Sequence, residues 1–212
     1  RRSLFDNRDI SNVLGFDKQE YIDFRVSSGG RFSISGLQPK ILLKLEGKEL
    51  LPAIKDGRYI LKLAPLSYNI PRFTEDVPAN EHLTMQIAWQ IFKINVAKNC
   101  FIRLKSKESA YLTKRFDRLN DGTGIPQEDF CQLMSISKET HGDDYKYQFS
   151  YESAAKIIAR YCVASAVELE KFFKLVLFNY VLSNGDAHLK NFSLQQSSYG
   201  DHLLSPAYDL LC

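Results

Sequence analysis

The 212-residue chain is 44% apolar, 25% charged and 12% aromatic, which is typical of a globular domain and excludes an intrinsically disordered one. Its net charge of +3, without a concentrated lysine and arginine stripe, argues against direct binding of nucleic acid, and no apolar run is long enough to span a membrane. The four cysteines form no C-x-x-C pair, so neither disulfides nor a zinc site is expected and a cytoplasmic protein is predicted.

The first half of the chain is predicted to be rich in strands. Its segments alternate apolar and polar residues and are bounded by glycine- and proline-containing turns, which is the pattern of half-buried strands. One helix interrupts them, and we expect Asn80 to cap it and the helix to run to about Ile94. The predicted strands are residues 41–45, 50–54, 58–63, 100–104 and 110–116.

The second half is predicted to be mainly helical. Pro126 is expected to open a short helix that reaches Met134, and a polar loop of residues 135–148 follows. Ser150 should cap a helix that ends near Cys162. A strongly apolar helix and two short strands then complete the prediction, at residues 167–182, 192–195 and 202–204.

A stripe of large apolar side chains on the apolar helix is expected to face the core. The most linker-like stretch of the chain is residues 119–124, which contain two glycines. These features predict an α+β protein with a strand-rich lobe at residues 1–118 and a helical lobe at residues 119–212. The predicted stripe consists of Phe172, Phe173, Leu177, Tyr180 and Val181.

Three residues that follow the apolar helix could carry chemistry. Asp186 is followed five residues later by Asn191, and Asp209 lies 18 residues further on, after a predicted hairpin. Because a hairpin folds back, the three side chains can converge. Phosphoryl transfer needs one carboxylate to accept a proton, and an amide and a second carboxylate to hold Mg²⁺; the Asp-x₄-Asn spacing is that of protein-kinase catalytic loops. Taken alone, the same spacing also fits an ordinary turn.

The first lobe adds complementary signals. Lys62 lies within an apolar strand, where a buried ammonium needs a partner, and Glu81 on the next helix is the candidate. A strand lysine paired with a helix glutamate holds the nucleotide phosphates in protein kinases, although a solvent-facing lysine is the commoner case. The segment Ser33-Ile34-Ser35-Gly36 could be a phosphate-binding loop or a plain polar turn. Because these signals follow one another in the order found in kinases, a kinase is predicted.

These stretches resemble the HipA-like Ser/Thr kinases of bacterial toxin–antitoxin systems, in the short, HipT-like form. The resemblance extends over most of the chain. It is most specific in Gln127-Glu128-Asp129 and in the Asp-x-His-x-Lys-Asn motif that runs from Asp186 to Asn191. The matching stretches are residues 33–40, 60–63, 114–118, 126–132, 184–192 and 205–209.

The resemblance implies a two-lobed protein-kinase-like fold, with a C-lobe truncated at Cys212, that uses ATP and Mg²⁺. Asp186 would then be the catalytic base, and Asn191 and Asp209 would be the Mg²⁺ ligands. The nucleotide would be bound by the side chains of four residues and by the backbone of a hinge. The four side chains are those of Lys62, Gln127, His188 and Tyr208, and the hinge residues are Lys114 and Phe116.

Regulation and partners are implied in the same way. Ser33 and Ser35 would be autophosphorylation sites. The substrate would be a protein, with aminoacyl-tRNA synthetases as candidates, and the partners would be a DNA-binding antitoxin and a small protein that corresponds to the N-terminal subdomain of longer HipA proteins. Two alternatives stay open: a small-molecule phosphotransferase, which uses a similar aspartate and asparagine pattern, and a non-catalytic kinase-fold binding module.

Overall fold

The computed structural model describes residues 38, 40–47, 49–53, 57–65, 74–104 and 107–212. The chain divides into two compact units. The first unit is drawn from Arg1–Leu83 and Ala97–Arg115, and the second from Thr84–Val96 and Phe116–Cys212. The predicted lobes, residues 1–118 and 119–212, stay a prediction.

Five strands of the first unit form one antiparallel sheet. They are β1 (Lys40–Glu46), β2 (Glu49–Pro52), β3 (Tyr59–Leu63), β4 (Asn99–Arg103) and β5 (Ser109–Lys114). Their order in the sheet is β2-β1-β3-β5-β4. Because side chains alternate between the two faces of a strand, Leu61 and Leu63 of β3 enter the apolar core of the unit while Lys62, between them, lies on the other face. The five strand predictions are confirmed to within two residues at each described end.

Helix α1 (Val77–Gln90) begins and ends earlier than the sequence predicts. Asn80 lies inside the helix and is not its cap. That prediction was wrong because Pro78 lies in the first turn, where the N–H that proline lacks would have no helical partner. The helix stops before Ile94 because Lys93 takes a left-handed conformation with φ of 56°, and the Ile94 N–H donates to the Ala88 carbonyl at 2.9 Å.

The second unit combines helices with a three-stranded antiparallel sheet. Its strands are β6 (Gln127–Asp129), β7 (Ser193–Gln196) and β8 (His202–Leu204), in the order β6-β7-β8. Its helices are α2 (Phe130–Leu133), α3 (Lys138–His141), α4 (Tyr151–Tyr161) and α5 (Ser165–Val181). Ser150 caps α4 as predicted, by accepting a hydrogen bond from the Ser153 N–H.

Two local predictions for this unit were wrong. The helix expected to open at Pro126 begins only at Phe130, because Gln127 and Asp129 pair with β7 as a strand. Asp129 then caps α2 through a reciprocal pair of hydrogen bonds with Gln132. The expected polar loop of residues 135–148 contains α3 and a 3₁₀ turn, Tyr145–Tyr147.

Helix α5 turns a different face inward from the stripe that periodicity predicts. Of that stripe only Phe172 is buried, and the other four side chains are at least 49% exposed. Glu168 lies on the buried face because its carboxylate accepts hydrogen bonds from the Leu204 N–H at 2.9 Å and from Lys171 at 2.6 Å. In the described part of the chain, no helix combines the length and apolar character needed to cross a membrane. The buried residues of α5 are Glu168, Phe172, Leu175, Phe178 and Asn179.

Candidate active site

A buried ion pair joins the sheet of the first unit to α1. The Lys62 ammonium donates to the Glu81 carboxylate at 2.5 Å, and both side chains are at most 6% exposed. Tyr111, which lies directly opposite Lys62 on β5, places its ring 5.3 Å from the ammonium. The pairing that the sequence suggested is therefore confirmed. A charge buried in this way is stable only with its partner in place.

In the second unit, the loop that carries Asp186 is attached to the end of α5 by two buried asparagines. The Asn184 amide donates to the Asn179 side-chain oxygen at 3.1 Å, and the Asn184 N–H donates to the Asn179 carbonyl at 2.9 Å. The side-chain oxygen of Asn184 in turn accepts from the Asp186 N–H at 3.3 Å. These hydrogen bonds hold the backbone of Asp186 in a fixed position relative to the end of α5. The sequence analysis missed the role of Asn179.

Asn191 is the last residue of a 3₁₀ turn, Leu189–Asn191, and the residue before that turn, His188, orients it. Its side-chain oxygen accepts from the His188 N–H at 3.0 Å, and its own N–H donates to the His188 carbonyl at 2.8 Å. An amide oxygen has two lone pairs, so the same atom can still bind a cation. Asn191 therefore keeps one usable oxygen in a fixed position.

Tyr208, which follows β8 in the chain, stabilises this turn. Its hydroxyl donates to the Lys190 carbonyl at 2.8 Å and lies 2.6 Å from the Ser193 hydroxyl. A phenol has one proton to donate, so Ser193 must donate to Tyr208. Burial raises the pKa of Tyr208 well above its usual value. Its ring packs 5.5 Å from that of Phe116, the predicted hinge residue of this unit.

Two of the predicted nucleotide-binding side chains carry buried polar atoms that lack a hydrogen-bond partner among the described residues. These atoms are Gln127 Oε1 and His188 Nδ1, and Gln195, directly opposite Gln127, has one as well. Burial, and after it the charge of Lys146, lowers the pKa of His188, so its imidazole is neutral at pH 7. Buried polar atoms are rarely left unpaired, and a bound ligand would supply the missing partners.

The Asp186 side chain is exposed, and its carboxylate accepts a hydrogen bond from a hydroxyl of the same unit. The Tyr147 phenol donates a short hydrogen bond to Asp186 Oδ1. That bond, and burial to a lesser degree, raises the pKa of Tyr147. The contact joins residues 39 positions apart, and no spacing rule or motif in the sequence could have found it.

Asp209 follows Tyr208 in a left-handed backbone conformation, with φ of 56°. Aspartate tolerates this conformation better than most residues, and such conformations cluster at functional sites. The described residues hold no group of three metal-ligating His, Cys, Asp or Glu side chains. That is compatible with Mg²⁺, which is usually held by one or two protein oxygens together with nucleotide phosphates and water. Asp209 and Asn191 offer oxygens of the required kind.

The predicted site residues divide between the two units. Lys62 and Lys114 belong to the first unit, where the Lys114 N–H donates to the Lys98 carbonyl at 2.8 Å. Ser33 and Ser35 lie outside the described residues. The strand β6 and the turn Leu189–Asn191 pack against each other in the second unit. The predicted site residues of that unit are Phe116, Gln127, Asp186, His188, Asn191, Tyr208 and Asp209.

Comparison with known proteins agrees with this fold. The HipA-like C-terminal domain model matches residues 32–212. The chain therefore belongs to the HipA-like C-terminal domain family. A Haemophilus influenzae protein named "Putative kinase" is 31% identical over 214 residues, which cover 98% of this chain and 60% of the relative. The Ser/Thr-protein kinase toxin HipA of Shewanella oneidensis is 28% identical over 202 residues, 85% of this chain and 43% of the toxin.

Two solved structures share the fold. HipA from Shewanella oneidensis, in a complex with HipB and operator DNA, matches with a TM-score of 0.63 and 24% identity over 92% of this chain and 50% of that chain. The Helicobacter pylori proinflammatory kinase CtkA matches with a TM-score of 0.60 and 15% identity, over 84% of this chain and 56% of that one. The predicted α+β, kinase-like fold class is therefore confirmed. The chain spans about half the length of most of these relatives.

Proposed function

We propose that this chain is the catalytic part of a HipA-type Ser/Thr protein kinase, which transfers the γ-phosphate of ATP to a protein hydroxyl in the cytoplasm. The observation that carries the proposal is the buried Lys62–Glu81 pair. A strand lysine held by a helix glutamate is the arrangement with which protein kinases hold nucleotide phosphates. Membership of the HipA-like family and the kinase names of the relatives support the same function.

Asp186 is the proposed base. As the acceptor oxygen forms its bond to the γ-phosphorus, the bond from phosphorus to the ADP oxygen breaks and the hydroxyl proton passes to the Asp186 carboxylate. The Tyr147 contact supports this role, since it shows that the carboxylate can accept a hydrogen bond from a hydroxyl. Lys62 would hold the phosphates. Asn191 and Asp209 would hold Mg²⁺, which neutralises phosphate charge when it is bound.

The nucleotide base and ribose would be bound by the buried atoms Gln127 Oε1 and His188 Nδ1 and by the ring of Tyr208, with the backbone of Lys114 and Phe116 at the hinge. A neutral His188 is suited to this task, because it can donate or accept a hydrogen bond without adding charge. The hydroxyl of Tyr208 is already used within the protein, so only its ring remains for the ligand.

The proposed partners follow from the family. A DNA-binding antitoxin is proposed because the structure of Shewanella HipA contains HipB and operator DNA. A small N-subdomain-like protein is a second proposed partner, and an aminoacyl-tRNA synthetase is the proposed substrate. The chain itself is not expected to contact nucleic acid or a membrane.

We expect MgATP to stabilise the protein and Asp209→Ala to remove most of that effect. At MgATP concentrations roughly 100-fold above Kd, the wild-type protein should gain about 2.7 kcal/mol of folding stability. Thermal shift with ATP alone and with ATP and Mg²⁺ measures the gain. Asp201→Ala, which removes an exposed carboxylate from the neighbouring β7–β8 turn, is the matched control. Equal MgATP stabilisation of the Asp209 variant would remove Asp209 from the metal site.

We also expect incubation with MgATP to phosphorylate Ser33 or Ser35 and to switch the kinase off. A phosphoserine carries roughly −1.5 to −2 charges at neutral pH. If the loop with Ser33 and Ser35 covers the phosphates of ATP, as the family resemblance implies, that charge would repel the triphosphate and weaken ATP binding. Intact-mass measurement, peptide mapping and ATP titration of the modified protein test this. A protein that gains no phosphate on either serine, or that binds ATP equally well once modified, contradicts the expectation.

A further inference from the structure

The hydroxyl of Tyr147 lies where a base would hold the hydroxyl of its substrate. It donates to Asp186 Oδ1, and a general base must be within hydrogen-bond distance of the proton that it removes. The Tyr147 ring packs edge-on against His188, with the ring centroids 5.3 Å apart. The ammonium of Lys146 lies 4.8 Å from the centre of the same ring. The phenol is thus held against the catalytic loop by its hydroxyl and by its ring.

The segment that carries Tyr147 lies on the surface of the second unit and contributes no buried residue from α3 or from the turn Tyr145–Tyr147. Tyr147 itself is 44% exposed. The turn contacts α3 and the turn Leu189–Asn191. Segments with few buried apolar contacts open at low free-energy cost. Tyr147 can therefore leave Asp186 without disruption of the apolar core.

We propose that Tyr147 occupies the acceptor-hydroxyl subsite of the kinase, so that a protein hydroxyl reaches Asp186 only after displacing the phenol. The inference rests on the proposed function, because it takes Asp186 as the base. It assigns the acceptor subsite to the space at Asp186 Oδ1 beside the His188 ring. It also makes the segment of residues 138–148 a removable cover of that subsite, which a serine- or threonine-bearing protein surface must push aside.

The contact between Tyr147 and Asp186 could have one of two roles, and the two predict opposite effects of removing the Tyr147 hydroxyl on the rate of phosphoryl transfer. If Tyr147 orients Asp186 for catalysis, loss of the phenol hydroxyl lowers the rate of phosphoryl transfer. If Tyr147 competes with the acceptor, the same loss raises it. Tyr147→Phe keeps the ring against His188 and Lys146 and removes only the hydroxyl, so it separates the two roles.

The experiment compares the wild-type chain with Tyr147→Phe and with Tyr145→Phe. Tyr145 belongs to the same 3₁₀ turn, but its ring lies beside Lys190, so Tyr145→Phe controls for loss of a phenol from this segment. MgATP affinity is measured by calorimetry. Phosphoryl transfer is measured with two acceptors, myelin basic protein and water, the second as release of inorganic phosphate. Amide hydrogen exchange of residues 143–149 reports whether the segment is held down.

In Tyr147→Phe we expect unchanged MgATP affinity, faster exchange of residues 143–149, and transfer that is about tenfold faster, with a lower KM for myelin basic protein. Tyr145→Phe should resemble wild type. Equal or slower transfer to both acceptors at unchanged MgATP affinity would overturn the inference alone, and so would unchanged exchange. Failure of the wild-type chain to bind MgATP would instead overturn the proposed function, and the inference with it.

Discussion

Asp186→Asn is expected to lower the rate of phosphoryl transfer roughly 10²–10⁴-fold while leaving MgATP binding nearly unchanged. Asparagine has the shape of aspartate and can still accept the Tyr147 hydrogen bond through its oxygen. It cannot take up a proton, however, so the acceptor hydroxyl loses its base. The Asn184–Asn179 contacts that hold the loop do not involve the Asp186 side chain, and the fold should persist.

The measurement is transfer from radiolabelled ATP at saturating MgATP, together with calorimetric titration of the nucleotide. Asp201→Asn, a change of the same kind at an exposed position in the β7–β8 turn, should retain the wild-type rate. An Asp186→Asn protein that keeps most of the wild-type rate would show that Asp186 is not the base. Loss of MgATP binding in that variant would place Asp186 in the nucleotide site instead.

Lys62→Met is expected to destabilise the protein by about 3–5 kcal/mol and to abolish MgATP binding. The variant leaves Glu81 charged, 2% exposed and without its ammonium partner, and an uncompensated buried charge costs that much. Lys44→Met is the matched control. Lys44 pairs with Glu46, two residues further along the same strand, β1, but both side chains are about half exposed, and such surface pairs contribute at most about 1 kcal/mol. Urea unfolding followed by circular dichroism gives the stabilities.

The double variant Lys62→Met/Glu81→Leu separates the structural and the functional role of the pair. Apolar side chains of similar volume can replace a buried ion pair with little or no loss of stability, so unfolding should return close to wild type. MgATP binding should not return, since the phosphates would lack their lysine. If the double variant binds MgATP as wild type does, Lys62 serves the fold alone.

Local sequence patterns predicted most of the elements correctly. The alternation of apolar and polar residues located all five strands of the first sheet, because this pattern can be recognised within a single strand of four to seven residues. The error at Asn80 has a local cause, Pro78 two residues earlier, whereas the error at Pro126 has a non-local one. Both residue types suit the start of a helix, but the hydrogen bonds of β6 with β7 decide that residues 127–129 are a strand. That pairing involves residues more than sixty positions apart.

The apolar helix α5 shows where periodicity stops being informative. Apolar side chains surround it on several sides, so the spacing of Phe173, Leu177 and Val181 is as regular as that of the buried residues. The buried face is instead chosen by two polar contacts: Glu168 binds the Leu204 N–H, and Asn179 binds Asn184. Only after these partners are folded against the helix is the inward face defined.

The sequence by itself determined the class of the protein and the residues that could carry its chemistry, because the Asp-x₄-Asn spacing, the strand lysine and the family motifs are properties of short stretches. Tertiary structure decided which distant residues form hydrogen bonds with them. Asp186 meets Tyr147 across 39 residues, and Tyr208 meets the Lys190 carbonyl across 18. Such contacts depend on how sheets and helices pack, and packing brings together residues that no local pattern relates.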